Sequence, residues 1–353
     1  MGADADPAAE LEEGRADGVF EGGGVKGLAF VGALAAAEEE LGIHEWVNVA
    51  GTSAGAIVAA LLVAGYTPAQ LHEYVGGIDY NRFADYGPGG RILGGLRNAL
   101  RTRGLVRGNY LKKWLGERLA ASPLGNANAT FGDVRRDDLP SGLSPDEIET
   151  IGYRLRVIAS DVSEGRMLVL PHDIALYEDE DGKPRRPEDL RIVDAVRMSM
   201  SFPFFFDPVV LRKDGREHLI VDGGLLSNYP IWLFDTPKPV KRHTWGFRLH
   251  PGVGDYIPPY QSVKRPFWEP ALARAMLHAT MTAWDERLEL SSAVRTISIP
   301  TGSVATLNFA LGEADRAALY NGGHDVARDF FRSLPEYVNQ HGRTAPVPLP
   351  KQR

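Results

Sequence analysis

Short apolar runs and longer helical patterns alternate along the chain, an arrangement typical of an α/β protein. Runs with the character of strands cover residues 19–20, 46–50, 217–221, 245–250 and 294–299. Helical patterns cover residues 28–41, 54–64, 270–290 and 313–334. Because the first two helical patterns each follow a strand after a short turn, we expect strands joined by helices in a mostly parallel central sheet.

The second strand-to-helix turn reads Gly51-Thr52-Ser53-Ala54-Gly55, which is a G-x-S-x-G pattern. In a nucleophile elbow the serine occupies a sharp turn that leaves little room for side chains on either side. Gly51, Ala54 and Gly55 meet that need, and the turn places Ser53 at a helix N-terminus, where free N–H groups favour negative charge. Since such small turns are common, the flanking strand and helix carry much of the argument that Ser53 is a nucleophile.

An earlier turn, which also lies between a strand and a helix, reads Gly22-Gly23-Gly24-Val25-Lys26-Gly27. It satisfies the dinucleotide pattern G-x-G-x-x-G, but that site needs a carboxylate about 20 residues further on, after the second strand. The second strand ends at residues 50–53, where there is no carboxylate. We therefore favour an anion site formed by the N–H groups of Gly23, Gly24 and Val25, with the charge of Lys26 beside it. An acyl oxyanion is such an anion.

A serine nucleophile needs a base, which is usually histidine. Of nine histidines, His278 and His324 come late enough for the order Ser-Asp-His, but both lie in helical patterns. Asp222 is the better candidate because it follows a predicted strand and precedes Gly223-Gly224. The carboxyl end of a strand is the sheet edge at which the other two turns also lie. The alternative is an aspartate that only caps a turn.

Three stretches in this order, residues 22–27, 51–55 and 222–224, together resemble the signatures of the patatin-like phospholipase family. The chain also resembles the family at residues 108–115, 158–161 and 194–203. The likeness runs from about residue 18 to residue 229 and continues more weakly to residue 323. Glu21 stands where many members carry aspartate, and we expect it to shape the turn.

The resemblance implies a three-layer patatin-like α/β domain with C-terminal strand and helix elaborations. It implies that Ser53 is the nucleophile and Asp222 its base, a dyad without histidine. The oxyanion hole falls on Gly23, Gly24 and Val25. The residues that support these motifs are Gly22, Lys26, Gly27, Gly51, Gly55, Gly223 and Gly224.

The implied activity is hydrolysis of acyl esters in phospholipids or related lipids through an acyl-serine, with neither metal nor cofactor. An acyltransferase that passes the same acyl group to another acceptor stays open, and a dinucleotide-binding protein is a weaker alternative.

Composition narrows the class of protein. The 353 residues include no cysteine, which excludes disulfides, thiolate metal sites and cysteine catalysis. A net charge of −7 argues against nucleic acid as a partner. The run over residues 54–64 is shorter than the roughly 20 residues that span a bilayer, and no secretory leader pattern opens the chain. We expect a cytoplasmic protein without a transmembrane segment, and peripheral contact at the membrane stays open.

The membrane contact is predicted from residues 82–118, which carry nine arginines and lysines against two acidic residues. Apolar and aromatic residues are interleaved with these cations, and such a surface can rest on anionic lipid. Helices that pack on the sheet and leave their cations in solvent would give the same pattern, so both interpretations stay open.

We divide the chain into four segments. Residues 1–17 are expected to form a disordered acidic tail. The catalytic domain covers residues 18–235, and a C-terminal elaboration over residues 236–341 packs on the same domain. Residues 342–353 are expected to be a loose tail.

Overall fold

The structure is a computed structural model of the chain. The structure describes residues 12–79, 82, 106–139, 148, 152–235, 242–250, 292–306 and 308–341. The expected helix over residues 270–290, His278, most of the basic segment 82–118, the first 11 residues and the segment 342–353 lie outside the described residues.

The strands of the described chain form one mixed sheet of eight strands. Neighbouring strands pair in the order β5-β6-β3-β2-β1-β7-β8, and β4 also pairs with β3. Both β2 and β6 lie on one edge of β3, and β4 lies on the other edge. The pairs β1-β2, β2-β3, β1-β7 and β7-β8 are parallel, and β4, β5 and β6 pair in antiparallel fashion. The strands are β1 (Arg15–Phe20), β2 (Glu45–Thr52), β3 (Leu155–Asp161), β4 (Arg166–Leu170), β5 (Val209–Lys213), β6 (Arg216–Asp222), β7 (His243–His250) and β8 (Thr296–Pro300).

Helices flank this sheet, which confirms the predicted α/β fold. Helix α2 lies against β1 and β2, α1 packs against α3 and α6, and α5 packs on β3 and β6. All ten residues of α2 are buried, as expected for a helix that is apolar on every side. The helices are α1 (Leu28–Leu41), α2 (Ala54–Val63), α3 (Pro68–Gly76), α4 (Asn109–Ala121), α5 (Ile192–Ser199) and α6 (Glu313–His341).

A second, smaller core contains alternate residues of the central strands. Val19 and Ala50 pack there with Tyr229 and Ile231, apart from the main core that contains Phe20. Because successive side chains of a strand point to opposite faces, the segment after Asp222 returns to cover the face opposite the main core.

Two strands share one edge of β3, and this arrangement positions the candidate site. β2 runs parallel to β3 and ends at Thr52, opposite Ile158. β6 runs antiparallel and ends at Asp222, opposite Ala159. Because β4 pairs with the other edge of β3 at these residues, the carboxyl ends of β2 and β6 meet head to head.

The N-terminal boundary differs from the expectation. β1 begins at Arg15, so the expected tail over residues 1–17 is wrong for its last three residues. Asp17 is buried rather than a solvated tail residue, and its Oδ1 accepts hydrogen bonds from the backbone N–H and the side-chain amide of Asn48, at 3.1 and 2.8 Å. The wider division into domains stays a prediction, although β7 and β8 belong to the same sheet.

In the part of the chain that the structure describes, no helix combines the length and the apolar character needed to cross a membrane.

The C-terminal helix α6 packs on α1 through two glycines. A Cβ atom built on Gly32 would lie 2.0 Å from the carbonyl oxygen of Tyr320, and one built on Gly323 would lie 1.9 Å from the carbonyl oxygen of Ala29. The backbones of the two helices are therefore in direct contact at Gly32 and Gly323, where a side chain would separate them. The adjacent Gly322 is different, since its Cβ would come only within 3.7 Å of the Pro300 carbonyl oxygen.

These neighbouring glycines give a matched test of the packing. We expect Gly323→Ala to lower the free energy of unfolding by about 1–3 kcal/mol, because the methyl group forces the helices apart. Gly322→Ala should raise it by about 0.5–1 kcal/mol, because alanine is the better helix former. Denaturant unfolding of both variants measures the difference, and a similar change in the two would contradict the contact.

Candidate active site

Ser53 lies in a strained turn between β2 and α2. Its φ and ψ are 53° and −120°, a sparsely populated conformation that costs a residue other than glycine about 1–3 kcal/mol. Its backbone N–H donates to Ser199 Oγ at 2.8 Å. A Cβ atom on Gly51 or Gly55 would overlap backbone atoms, so the small residues of the motif let the turn pack.

Asp222 ends β6 as a buried carboxylate, only 2% exposed. Its Oδ1 accepts the N–H of Gly224 at 2.8 Å, and its Oδ2 is buried without a hydrogen-bond partner among the described residues. Burial raises the pKa of Asp222 to about 7, against smaller opposing effects of the Gly224 N–H and the Ser53 hydroxyl. The group can therefore take up or release a proton near neutral pH. Gly223 packs against Ile158 at the same point, and its Cβ would lie 2.3 Å from the carbonyl oxygen of that residue.

The serine and the aspartate are neighbours whose side chains do not share a hydrogen bond in this conformation. The Ser53 hydroxyl is near enough to lower the pKa of Asp222, yet it donates to Met200 Sδ at 3.4 Å. A thioether is a weak acceptor, so rotation of the hydroxyl towards the unpartnered Oδ2 of Asp222 would exchange a weak acceptor for a strong one.

The glycine-rich turn lies against the elbow. A Cβ atom on Gly22 would lie 3.3 Å from Ser53 Cβ, so the first glycine brings the turn close to the serine. Gly24 has φ of +58° and its Cβ would lie 2.1 Å from the carbonyl oxygen of Thr306, which requires glycine on both counts. The backbone N–H groups of Gly23 and Gly24 have no acceptor within the described ranges.

The sequence predicts an oxyanion donor at Val25, but in the structure the N–H group of this residue already has an acceptor. This group donates to the carbonyl oxygen of Thr306 at 3.1 Å, because the segment after β8 lies on the glycine-rich turn. Of the three N–H groups proposed for the oxyanion hole, those of Gly23 and Gly24 are left without an acceptor among the described residues in this conformation.

Two charged residues, Lys26 in the turn and Glu21 just before it, form hydrogen bonds with residues late in the chain. Lys26 is 2% exposed, and its Nζ donates to Thr301 Oγ1 at 3.1 Å. The sequence predicts the charge of Lys26 beside an anion, and in the structure this charge is buried against Thr301. Gly27, next to it, packs near Ala54. Glu21 accepts the backbone N–H of Leu249 with Oε2 at 2.5 Å, in agreement with its expected role in shaping the turn.

Sequence reasoning missed a third contributor, the segment of residues 199–201 at the end of α5. Ser199 Oγ accepts the Ser53 N–H, Met200 Sδ accepts the Ser53 hydroxyl, and the Ser201 carbonyl accepts the Asp222 N–H at 3.0 Å. The signal for this segment was its resemblance to a family stretch over residues 194–203, which indicated no role for these three residues.

His324, one of the two late histidines, lies on α6. Its Nε2 is 2.9 Å from Glu39 Oε2 on α1. The interpretation of His324 as part of a Ser-Asp-His triad therefore finds no support in the geometry, and His278 lies outside the described residues.

Asp161, Glu164 and His218 lie close enough together to hold a metal ion. Asp161 already accepts hydrogen bonds from Tyr177, His218 and the backbone N–H of Ser163, at 2.7, 2.7 and 2.8 Å. Although burial raises the pKa of Asp161, the hydrogen bonds from Tyr177 and His218 bring it below the ordinary value. With its acceptor positions filled by the protein, we assign this carboxylate a structural role that ties β3 to β6.

Comparison with known proteins places these features in a family context. The family model for patatin-like phospholipases matches residues 18–235. The protein YqhO of Bacillus subtilis (strain 168) is 34% identical over 306 residues, which are 86% of this chain and 93% of that protein. The cUMP-AMP-activated phospholipase of Escherichia coli is 24% identical over 289 residues, which are 80% of this chain and 78% of that protein.

Among solved structures, the crystal structure of VipD from Legionella pneumophila is similar, with a TM-score of 0.51 and 18% identity. The match covers 90% of this chain and 67% of that chain. At this identity the likeness supports the fold alone.

The raised pKa of Asp222 predicts a dependence of stability on pH. Between about pH 4, where an aspartate titrates in the unfolded chain, and about pH 7, the folded state holds a proton that the unfolded state has lost. This group therefore makes the protein less stable as pH rises through that window. Since asparagine does not titrate, we expect Asp222→Asn to raise Tm more at pH 8 than at pH 5. A change in Tm of the same size at both pH values would contradict the raised pKa.

Proposed function

Because the chain belongs to the patatin-like phospholipase family, we propose that it hydrolyses lipid acyl esters through an acyl-serine on Ser53, with Asp222 as the base. The main support is the meeting of a strained elbow serine and a buried carboxylate at the shared edge of β3. A carboxylate with a pKa of about 7 suits proton transfer near neutral pH, because a general base works best when its pKa lies near the working pH.

In the first step of this mechanism, Asp222 Oδ2 takes the proton of Ser53 Oγ as that oxygen attacks the ester carbonyl carbon. The carbonyl π electrons move onto the carbonyl oxygen, which becomes an oxyanion facing the N–H groups of Gly23 and Gly24. Donors of this kind contribute about 2.7–4 kcal/mol to the stability of the transition state. When the tetrahedral intermediate collapses, the bond to the alcohol breaks and Asp222 returns the proton to the departing oxygen.

The second step repeats the first with water. Asp222 takes a proton from the water as the water oxygen attacks the acyl carbon, and it returns that proton to Ser53 Oγ as the bond between the acyl carbon and Oγ breaks. The acid product leaves and the free enzyme is restored. An acceptor alcohol in place of water would give acyl transfer from the same intermediate, and analysis of the products distinguishes these two outcomes.

The proposed substrate class rests on the family and on its phospholipase relative in Escherichia coli. The dinucleotide interpretation of the glycine-rich turn loses support because that turn packs against Ser53 and a carboxylate is missing after β2.

The dyad predicts that Ser53→Ala and Asp222→Asn each remove turnover of a soluble short-chain ester. We also expect kcat/KM of the unmodified protein to rise with pH, with a midpoint near 7, because only the deprotonated Asp222 can act as base. Initial rates measured from pH 5 to pH 9 test both points. Removing a general base lowers rates by about 10²–10⁴-fold, so substantial activity in either variant would contradict the dyad.

We further propose that the protein touches anionic membranes through Arg107, in the basic segment 82–118, together with Phe204. Phe204 is 67% exposed and has φ of +68°, a conformation that is unfavourable for a bulky residue. Val106, which lies in the basic segment, contacts the segment that contains Phe204, since the Val106 N–H donates to the Phe205 carbonyl at 2.9 Å. Next to Val106, Arg107 is exposed. An exposed apolar ring and an exposed cation therefore lie on two segments that are hydrogen-bonded to each other, and Phe204 follows closely on Ser199 and Met200, which contact Ser53.

This contact predicts a difference between substrates. Phe204→Ser should weaken binding to anionic phospholipid vesicles by about one to two orders of magnitude, since burying a phenylalanine contributes about 1.5–3 kcal/mol. Arg107→Gln should weaken it at low salt and much less at high salt, because salt screens exposed charges. Vesicle sedimentation measures binding, and Val210→Ser serves as the control, since Val210 is also exposed (48%) but lies on β5.

Hydrolysis of a soluble ester should change little in these variants. An equal loss on vesicles and on the soluble ester would mean that Phe204 and Arg107 support the fold and do not bind lipid. Coverage of Phe204 by another segment of this chain would show as unchanged vesicle binding in Phe204→Ser.

A further inference from the structure

The segment of residues 199–201 contacts both members of the proposed dyad. Ser199 Oγ lies 2.8 Å from the Ser53 nitrogen, and the Ser201 carbonyl oxygen lies 3.0 Å from the Asp222 nitrogen. Ser199 and Ser201 are both fully buried. Two residues of this short segment therefore hold the backbone N–H groups of the serine that follows β2 and of the aspartate that ends β6.

Ser53 depends on this contact because of its conformation. Its positive φ takes its N–H out of the pattern of β2 and of α2, and the N–H of a buried residue needs an acceptor. The acceptor is the hydroxyl of Ser199, which is 146 residues away in sequence. A shift of the Ser53 backbone would carry its Oγ with it.

The segment is itself held firmly. Ser201 Oγ donates to the Arg197 carbonyl at 2.9 Å and accepts from Arg197 Nη1 at 2.5 Å. The guanidinium of Arg197 also donates to the carbonyls of Arg107 and Asp207, at 2.7 and 2.8 Å. The acceptor for Ser53 therefore lies on a buried and cross-linked support.

We propose that Ser199 is a positioning residue, which holds the Ser53 backbone so that its Oγ reaches Asp222 and the ester carbonyl in the reactive geometry. This inference rests on the proposed function, because it assigns Ser199 a role in the reactivity of Ser53. Ser199 acts through the Ser53 backbone and does not touch the reacting atoms.

The test compares Ser199→Ala, which removes the acceptor, with Ser199→Cys, which keeps nearly the same size but offers only a weak acceptor. We expect kcat for a soluble ester to fall in the order wild type, Cys, Ala, with a loss of about 10²-fold in Ser199→Ala, because misplacement of a reacting group by about 1 Å has an effect of that size. KM should change little. The rate at which a fluorophosphonate labels Ser53 should fall in parallel, and the pH midpoint near 7 should stay, since Asp222 remains buried.

Ser122→Ala is the matched control. Ser122 is also a buried serine, and its Oγ accepts the backbone N–H of Leu124 at 3.2 Å at the end of α4. It should keep wild-type kcat and labelling, and circular dichroism should show that all variants are folded.

Three results would overturn the inference. The first is labelling of Ser199→Ala as fast as that of Ser122→Ala. The second is a loss that appears only in KM, or only with unfolding in both Ser199 variants. The third is wild-type activity in Ser199→Cys together with a loss in Ser199→Ala, which would indicate packing. A wild-type protein that is neither labelled nor active would instead overturn the proposed function itself, and with it this inference.

Discussion

The candidate site depends on one constraint, the sharing of a single edge of β3 by β2 and β6. The parallel strand delivers the residue that follows it, and the antiparallel strand delivers its last residue, to the same point. Side chains alternate along a strand, so a shift of β6 by one residue would turn Asp222 to the other face of the sheet. Strand register therefore decides whether a serine and an aspartate 169 positions apart in the sequence become neighbours.

The same arrangement lowers the stability of the folded protein at two residues that the proposed reaction uses. Asp222 is buried with one oxygen unpartnered among the described residues, and Ser53 has a strained backbone. Both features cost stability, and both fit the proposed reaction, because the first makes a carboxylate basic near neutral pH and the second places a hydroxyl at a helix N-terminus. The large apolar core and the fully buried helix α2 offset these costs.

Local patterns predicted the parts of the fold that local forces control. The helix predicted over residues 28–41 is Leu28–Leu41, and the glycine motifs fall at the turns between strands and helices. Contacts between distant residues were beyond the sequence. The hydroxyl of Ser199 and the carbonyl of Thr306 bind backbone N–H groups, and no residue type or spacing marks such a partner. The start of β1 was misjudged because Asp17, an acidic residue near the N-terminus, is paired inside the fold.

The glycine-rich turn lies near the N-terminus, but residues from the last third of the chain hold it in place. Phe20 stacks on Phe247 at 5.0 Å between ring centroids, Glu21 accepts the N–H of Leu249, and Val25 donates to Thr306. During synthesis the N-terminal residues leave the ribosome first. The growing chain thus carries Ser53, the proposed nucleophile, through most of translation without the contacts that shape the turn beside it. Under the proposed function, the oxyanion donors of this turn are therefore in place only when the chain is nearly complete, which limits the period in which an unfinished chain could hydrolyse lipid.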